Sequence, residues 1–279
     1  MEAEPPLLRV RGLTRRHAGR RRGGPPLLAL AGVDLTLSRG SDLALVGQSG
    51  SGKSTLARCV ARLEEPTSGE ISFEGVDLLA LRGRQLLPFR ERIQLILQDS
   101  ATALDPRMSA VEIVAEPLDV LGRGDRADRR RRALALMETV GIPPAWAARR
   151  PRELSGGQRQ RLAIARALIL APRLLILDEA FAGLDVSIQA QIAGLLREVK
   201  ARHALTLLYV SHDLALVGEL AEEVAIMFEG RIVEHGEVTR VFAEPGHPHT
   251  RDLVASLPAL PYTPDSDQTI GIPASPARI

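Results

Sequence analysis

Gly47-Gln48-Ser49-Gly50-Ser51-Gly52-Lys53-Ser54 decides how the rest of the chain is read. The stretch fits the pattern G-x-x-x-x-G-K-[ST], in which glycines let the backbone wrap round an anion. It follows the apolar run Leu43–Val46, which reads as a strand, and leads into a helical run, Ser54–Arg62. That context points successive N–H groups and a helix dipole at a β-phosphate. On this reading Lys53 reaches the β- and γ-phosphates, the Ser54 hydroxyl ligates Mg²⁺, and Thr55 belongs to the same nucleotide contact. The bland alternative is a plain glycine turn. Chance matches arise in roughly one chain in a hundred of this length, and the flanking strand and helix make them rarer. Lys53 is one of only two lysines, with Lys200, in a chain that otherwise uses arginine for its basic residues.

Before the loop, short apolar runs alternate with turns. Leu7–Leu13, Val33–Leu37 and Asp42–Val46 read as strands, as does Glu70–Phe73 after it, and a basic loop, Arg15–Gly24, joins the first two. From Met108 to Leu170 the pattern turns helical, with an arginine-rich segment at Asp125–Val140. Strand Leu174–Leu177, helix Ser187–Ala201, strand Thr206–Val210, helix Asp213–Ala221 and strand Val224–Phe228 then alternate, the pattern of a parallel sheet covered by helices. Residues 261–279, rich in Pro, Ser and Thr, read as a flexible tail.

Leu174-Leu175-Ile176-Leu177-Asp178-Glu179 is an apolar strand ending in two carboxylates. Alone it is a weak signal, because helix N-termini also attract acids. Beside a phosphate loop it places Asp178 to hold hydrated Mg²⁺ and Glu179 to orient or deprotonate an attacking water.

Composition narrows the classes. The 279 residues are 45% hydrophobic and 25% charged, ordinary for a folded soluble chain. The richest apolar stretch, Ala163–Leu177, is interrupted by Arg166, Pro172 and Arg173, short of the ~18 apolar residues a membrane helix needs. The acidic start, Met1-Glu2-Ala3-Glu4-Pro5, does not read as a signal peptide. One cysteine, Cys59, excludes an intramolecular disulfide framework and a cysteine-rich metal module. A net charge of +2 argues against a nucleic-acid partner. The expected compartment is the cytoplasm.

Leu154-Ser155-Gly156-Gly157-Gln158, ahead of the carboxylate strand, reads by itself as a helix N-cap followed by glycines that permit close backbone approach. It is also similar to the signature of ATP-binding-cassette (ABC) ATPases. Gln98, ending the apolar strand Ile93–Leu97, resembles that family's Q-loop glutamine; Asp185 in Ala182-Gly183-Leu184-Asp185 resembles its D-loop aspartate; and His212 in Ser211-His212-Asp213 resembles its switch histidine. With the phosphate loop and the Asp178-Glu179 strand, these motifs stand in the family's order, and the chain is identified as a member.

The resemblance implies an α/β P-loop NTPase cassette over residues 1–260: a RecA-like core, an N-terminal antiparallel β subdomain and an inserted α-helical signature subdomain at about 99–151. It implies head-to-tail pairing of two cassettes around ATP, with Ser155, Gly156, Gly157 and Gln158 facing the partner's nucleotide. In the same picture His212 contacts the γ-phosphate, and Gln98 touches Mg²⁺ or water while linking to a membrane partner. Two positions depart from the pattern. His17 stands where an aromatic usually stacks on adenine, with Arg16 as a possible helper, and Gly183 stands where alanine is usual.

A single cassette without long insertions resembles an importer subunit more than the DNA-repair, chromosome or translation-factor branches, which leave a non-transport role on nucleic acid or ribosome as the alternative of another class. Gln98-Asp99-Ser100, Leu104-Asp105-Pro106-Arg107-Met108 and Glu244-Pro245-Gly246-His247-Pro248-His249-Thr250-Arg251 resemble the oligopeptide/dipeptide/nickel importer group, His249 replacing a tyrosine and Asp105 an asparagine. A metal site at His247-Pro248-His249 is disfavoured. The resemblance implies a second ATPase subunit in a heterodimer, two permease subunits, an extracytoplasmic substrate-binding protein and a place at the cytoplasmic face of the inner membrane. Peptide is the leading cargo, with nickel or a metal chelate the alternative. Leu104–Arg107, a proline among exposed charges, is expected to dock a permease helix.

Overall fold

The computed structural model describes residues 5–18, 26–98 and 103–256, apart from the His203 side chain. Its strands are β1 (Leu8–His17), β2 (Leu27–Leu37), β3 (Asp42–Val46), β4 (Ser68–Phe73), β5 (Val76–Asp77), β6 (Ile93–Ile96), β7 (Leu174–Asp178), β8 (Thr206–Ser211), β9 (Glu223–Phe228) and β10 (Arg231–Glu237). Its α-helices are α1 (Lys53–Val60), α2 (Leu87–Arg92), α3 (Ala110–Val120), α4 (Arg126–Thr139), α5 (Gly156–Leu168), α6 (Val186–His203), α7 (Leu214–Leu220), α8 (Val238–Ala243) and α9 (Pro248–Ala255).

Two sheets result. β2-β1-β4-β5 is antiparallel, and β10-β9-β3-β8-β7-β6 is parallel except for β10, which pairs antiparallel with β9. Every residue of β3 and β7 is buried, as expected for central strands covered on both faces. Period-two alternation divides the interior. Leu43, Leu45, Leu174, Ile176, Leu208 and Val210 face a core shared with α1 and the antiparallel sheet. Ala44, Val46, Leu175, Leu177, Leu207 and Tyr209 face a core shared with α3, α5 and α6. The loops at the carboxyl ends of β3, β7 and β8 therefore gather at one edge, where open α/β sheets bind ligands. Among the described residues no helix is long and apolar enough to cross a membrane.

The helical stretch after β6 carries its own start signals. Ser109 and Glu112 form a capping box at α3, the Ser109 N–H donating to Glu112 Oε2 at 2.8 Å. Asp125 caps α4 by accepting from the Asp128 N–H at 2.8 Å.

The structure corrects three expectations. Arg15–His17, read as loop, continue β1 and pair with Leu30, Leu28 and Leu27 of a β2 that begins six residues earlier than its apolar run suggested; Arg15 is anchored to Glu64 at 2.6 Å. β10 was not expected, because Arg231–Glu237 is charged and half exposed. It forms because Glu229 and Gly230 both adopt positive φ, 46° and 76°, turning β9 back on itself. Leu104, expected at an exposed docking loop, is 7% exposed and packs in the helical core, whereas Arg107 projects into solvent and pairs with Asp105 at 2.8 Å. Asp99, Ser100 and the 261–279 tail lie outside the described residues.

Candidate active site

β3 delivers the chain to Gly47 at the sheet's carboxyl edge. A methyl group on Gly47 would sit 2.1 Å from the Met227 carbonyl oxygen of β9, so only glycine lets the loop lie on that strand. Gly52, the α1 N-cap, has φ of 107°, and a methyl there would meet the Ala29 carbonyl oxygen at 2.3 Å. The turn between β9 and β10 closes the other side: the Gly230 N–H donates to the Ser51 carbonyl at 3.0 Å, and the Ala31 N–H of β2 donates to the Gly230 carbonyl at 2.9 Å. Met227 and Gly230 thus shape the loop although the motifs did not reveal them. The Glu229-Gly230 pair was the only sequence signal for them.

Lys53 is 4% exposed, and its Nζ donates to the carbonyls of Gly47 (2.6 Å) and Gln48 (3.0 Å). Burial lowers its pKa, while the charges of Glu179 and Asp178 oppose that shift. The loop therefore holds a buried ammonium bonded to neutral dipoles, ready to exchange them for an anion. Ser54 Oγ donates to Asp178 Oδ1 at 2.8 Å. Asp178 is 2% exposed; burial raises its pKa against the Ser54 hydrogen bond. A half-buried hydroxyl bonded to a buried carboxylate beside a phosphate loop suits a hard divalent cation, which would relieve the carboxylate's desolvation.

β7 ends one residue later in a backbone turn. Glu179 has φ of 49°, in a region that costs a non-glycine residue about 1–2 kcal/mol, and its N–H donates to the Val210 carbonyl at 2.9 Å. This lifts the carboxylate off the strand, where Glu179 Oε1 lies 3.4 Å from His212 Nδ1. His212 follows β8 and precedes Asp213, which caps α7 through the Ala215 and Leu216 N–H groups. Two neighbouring strands thus supply an acid and an imidazole at one spot.

The Ser155 hydroxyl caps α5, accepting from the Gln158 N–H at 3.3 Å, and Gln158 Oε1 accepts from the Ser155 N–H at 2.9 Å. Asp185 caps α6 by accepting from the Ile188 N–H at 2.9 Å. Ile188 lies against Gly157, where a methyl group would meet its Cγ2 at 2.8 Å. Gly156 has open space around it. Ser155, Gly157 and Asp185 therefore form a second group, whose hydrogen bonds stay within the two helix caps. Gln98 is exposed beyond the end of β6, next to β7. His17 Nδ1 lies 3.5 Å from Glu64 Oε1 on the outer sheet.

The ABC transporter family profile matches residues 30–182. A Brucella ovis protein named as a peptide import ATP-binding protein is 44% identical over 264 residues, covering 95% of this chain and 81% of its own. A Sinorhizobium fredii protein named as peptide ABC transporter ATP-binding protein y4tS is 44% identical over 256 residues, covering 90% and 72%. Among solved structures, the dimeric ATP-binding cassette MJ0796 in a post-hydrolysis state with ADP and Pi has a TM-score of 0.75 at 28% identity, covering 83% of this chain and 99% of that one. CbiO1 from Clostridium perfringens, part of the ABC transporter complex cbiONQ, has a TM-score of 0.75 at 30% identity, covering 86% and 92%. The chain belongs to the ABC transporter family, as one of its ATP-hydrolysing cassettes.

Proposed function

We propose that this chain powers an importer of di- or oligopeptides, paired with a second ATPase subunit and working with two permease subunits and an extracytoplasmic binding protein. In that role it sits peripherally on the cytoplasmic face of the membrane, with residues 1–260 as the cassette and about 99–151 as its helical subdomain. The names of relatives that share 44% identity across nearly the whole chain support the cargo class. The observation that carries the catalytic reading is the meeting of Ser54 with Asp178 beside that of Glu179 with His212.

Gly47–Thr55 wrap the phosphates with N–H groups, and Lys53 leaves the Gly47 and Gln48 carbonyls for the β- and γ-phosphate oxygens. Mg²⁺, held by Ser54, Asp178 and Gln98, would supply charge neutralisation on the phosphates. Glu179 accepts a proton from a water whose oxygen attacks the γ-phosphorus, while the bond from that phosphorus to the β-phosphate bridging oxygen breaks. His212 holds the γ-phosphate and the Glu179 carboxylate in one arrangement. Ser155, Gly156, Gly157 and Gln158 complete the site of the partner cassette, with Asp185 beside them, and His17 lies on the adenine side. The test is ATP-dependent uptake of a labelled tripeptide by vesicles carrying the reconstituted complex. Uptake that requires this chain supports the proposal; ATP-driven uptake of nickel with none of peptide contradicts the cargo.

A further inference from the structure

The two histidines of His247-Pro248-His249 each have an occupation other than metal binding. His247 Nδ1 accepts from the His249 N–H at 3.1 Å and so caps α9. The start of α9 is pinned to β10 by Glu234, whose two carboxylate oxygens accept the Gly246 N–H at 2.8 Å and the His247 N–H at 3.0 Å. His249 then turns inward. It is 7% exposed, its ring lies 4.1 Å from that of Phe228 at a 31° tilt, and its Nε2 is buried without a hydrogen-bond partner.

Phe228 is the last residue of β9, between the two contacts that floor the phosphate loop. Met227 before it presents the carbonyl on which Gly47 lies, and Gly230 after it donates to the Ser51 carbonyl. Packed side chains and a tight turn transmit displacement because a close-packed contact does not yield gradually. We infer that α9 is a strut for the nucleotide site, and that His249 is a positioning residue acting through Phe228 and the β9–β10 turn on the phosphate loop. The ring face does this work. The buried Nε2 does not, since it bonds to nothing. The inference rests on nucleotide binding at Gly47–Ser54.

The experiment uses the full-length chain, a fluorescent trinitrophenyl-ATP titration and a thermal unfolding midpoint for each variant. His249→Ala is expected to weaken probe binding about 3- to 10-fold while remaining folded, the range an aromatic pair commands. His249→Phe should bind within ~2-fold of wild type and unfold at a higher temperature, because it keeps the ring face and removes a buried unpartnered nitrogen. Phe228→Ala should match the loss of His249→Ala, and the double variant should lose no more than either alone. Should His249→Ala not accumulate as folded protein, His249→Leu is read by the same criteria. Folded His249→Ala with wild-type affinity, a loss that phenylalanine does not restore, or additive losses in the double variant would each overturn the inference. Failure of the wild-type chain to bind the probe would instead overturn the nucleotide site beneath it.

Discussion

Replacing Gly47 by alanine tests whether the phosphate loop must lie directly on β9. The added methyl would stand 2.1 Å from the Met227 carbonyl oxygen, a backbone atom with no rotamer to escape into. Carbon–oxygen contacts ordinarily begin near ~3.3 Å, so loop and strand must part by about 1 Å. Overpacking of that kind costs roughly 1–3 kcal/mol of stability. A shift of about 1 Å in groups that cradle the phosphates can cost ~10²-fold in catalysis. The chain should therefore remain folded and lose most of its activity. The assay is ATP hydrolysis by the assembled complex, with unfolding midpoint and nucleotide binding measured on the same preparation. Gly194→Ala is the control, since it lies within α6 and nothing lies within 4 Å of where its methyl would sit, so activity should not change. A folded Gly47→Ala protein with wild-type turnover would show that the phosphate loop does not need to lie directly on β9.

Asp178→Asn should raise the thermal midpoint of the nucleotide-free chain while lowering Mg²⁺-dependent hydrolysis by at least ~10²-fold. Burial raises the Asp178 pKa in the fold, so ionising it costs stability at neutral pH; that cost fades as pH falls through the raised folded-state pKa and is gone below the unfolded pKa, and the gain from asparagine should shrink with it. If Ser155 and Gly157 act across a cassette pair, specific ATPase activity of the isolated chain should be low at micromolar concentration and rise steeply when the partner cassette and permeases are added, as read in a dilution series. Leu104→Ala should destabilise the chain by about 2–3 kcal/mol in denaturant unfolding, because Leu104 is 7% exposed within the helical core, whereas Arg107→Ala should leave stability unchanged.

The phosphate-loop half of the candidate site was legible because its pattern is local. Gly47–Ser54 is one contiguous stretch, and Asp178 with Glu179 ends a strand of four apolar residues, so pattern and period sufficed. Asp42–Val46 was read to the residue, since a fully buried strand between turns leaves little freedom in its limits. What escaped depends on contacts between distant segments. β10 is charged and becomes a strand only because the Glu229-Gly230 turn lays it on β9. Arg15–His17 look like a basic loop until Glu64 and β2 supply partners. Leu104 sits among Asp105, Pro106 and Arg107, and its burial follows from the packing of α3 against α5, which nothing in the neighbouring residues announces. The floor of the loop, Met227 of β9 and Gly230 in the turn after it, belongs to a stretch whose sequence carries no nucleotide motif.

In the proposed mechanism Glu179, raised off β7 by its left-handed turn and facing His212, takes the proton of the attacking water. The most direct measurement compares ATP binding and single-turnover hydrolysis by the purified assembled complex carrying Glu179→Gln in this subunit with the same complex in wild-type form, its partner site silenced in both. The account predicts nucleotide binding within a few-fold of wild type and hydrolysis slowed at least ~10²-fold, with a nucleotide-bound cassette pair accumulating. Near-normal hydrolysis by that variant would contradict it.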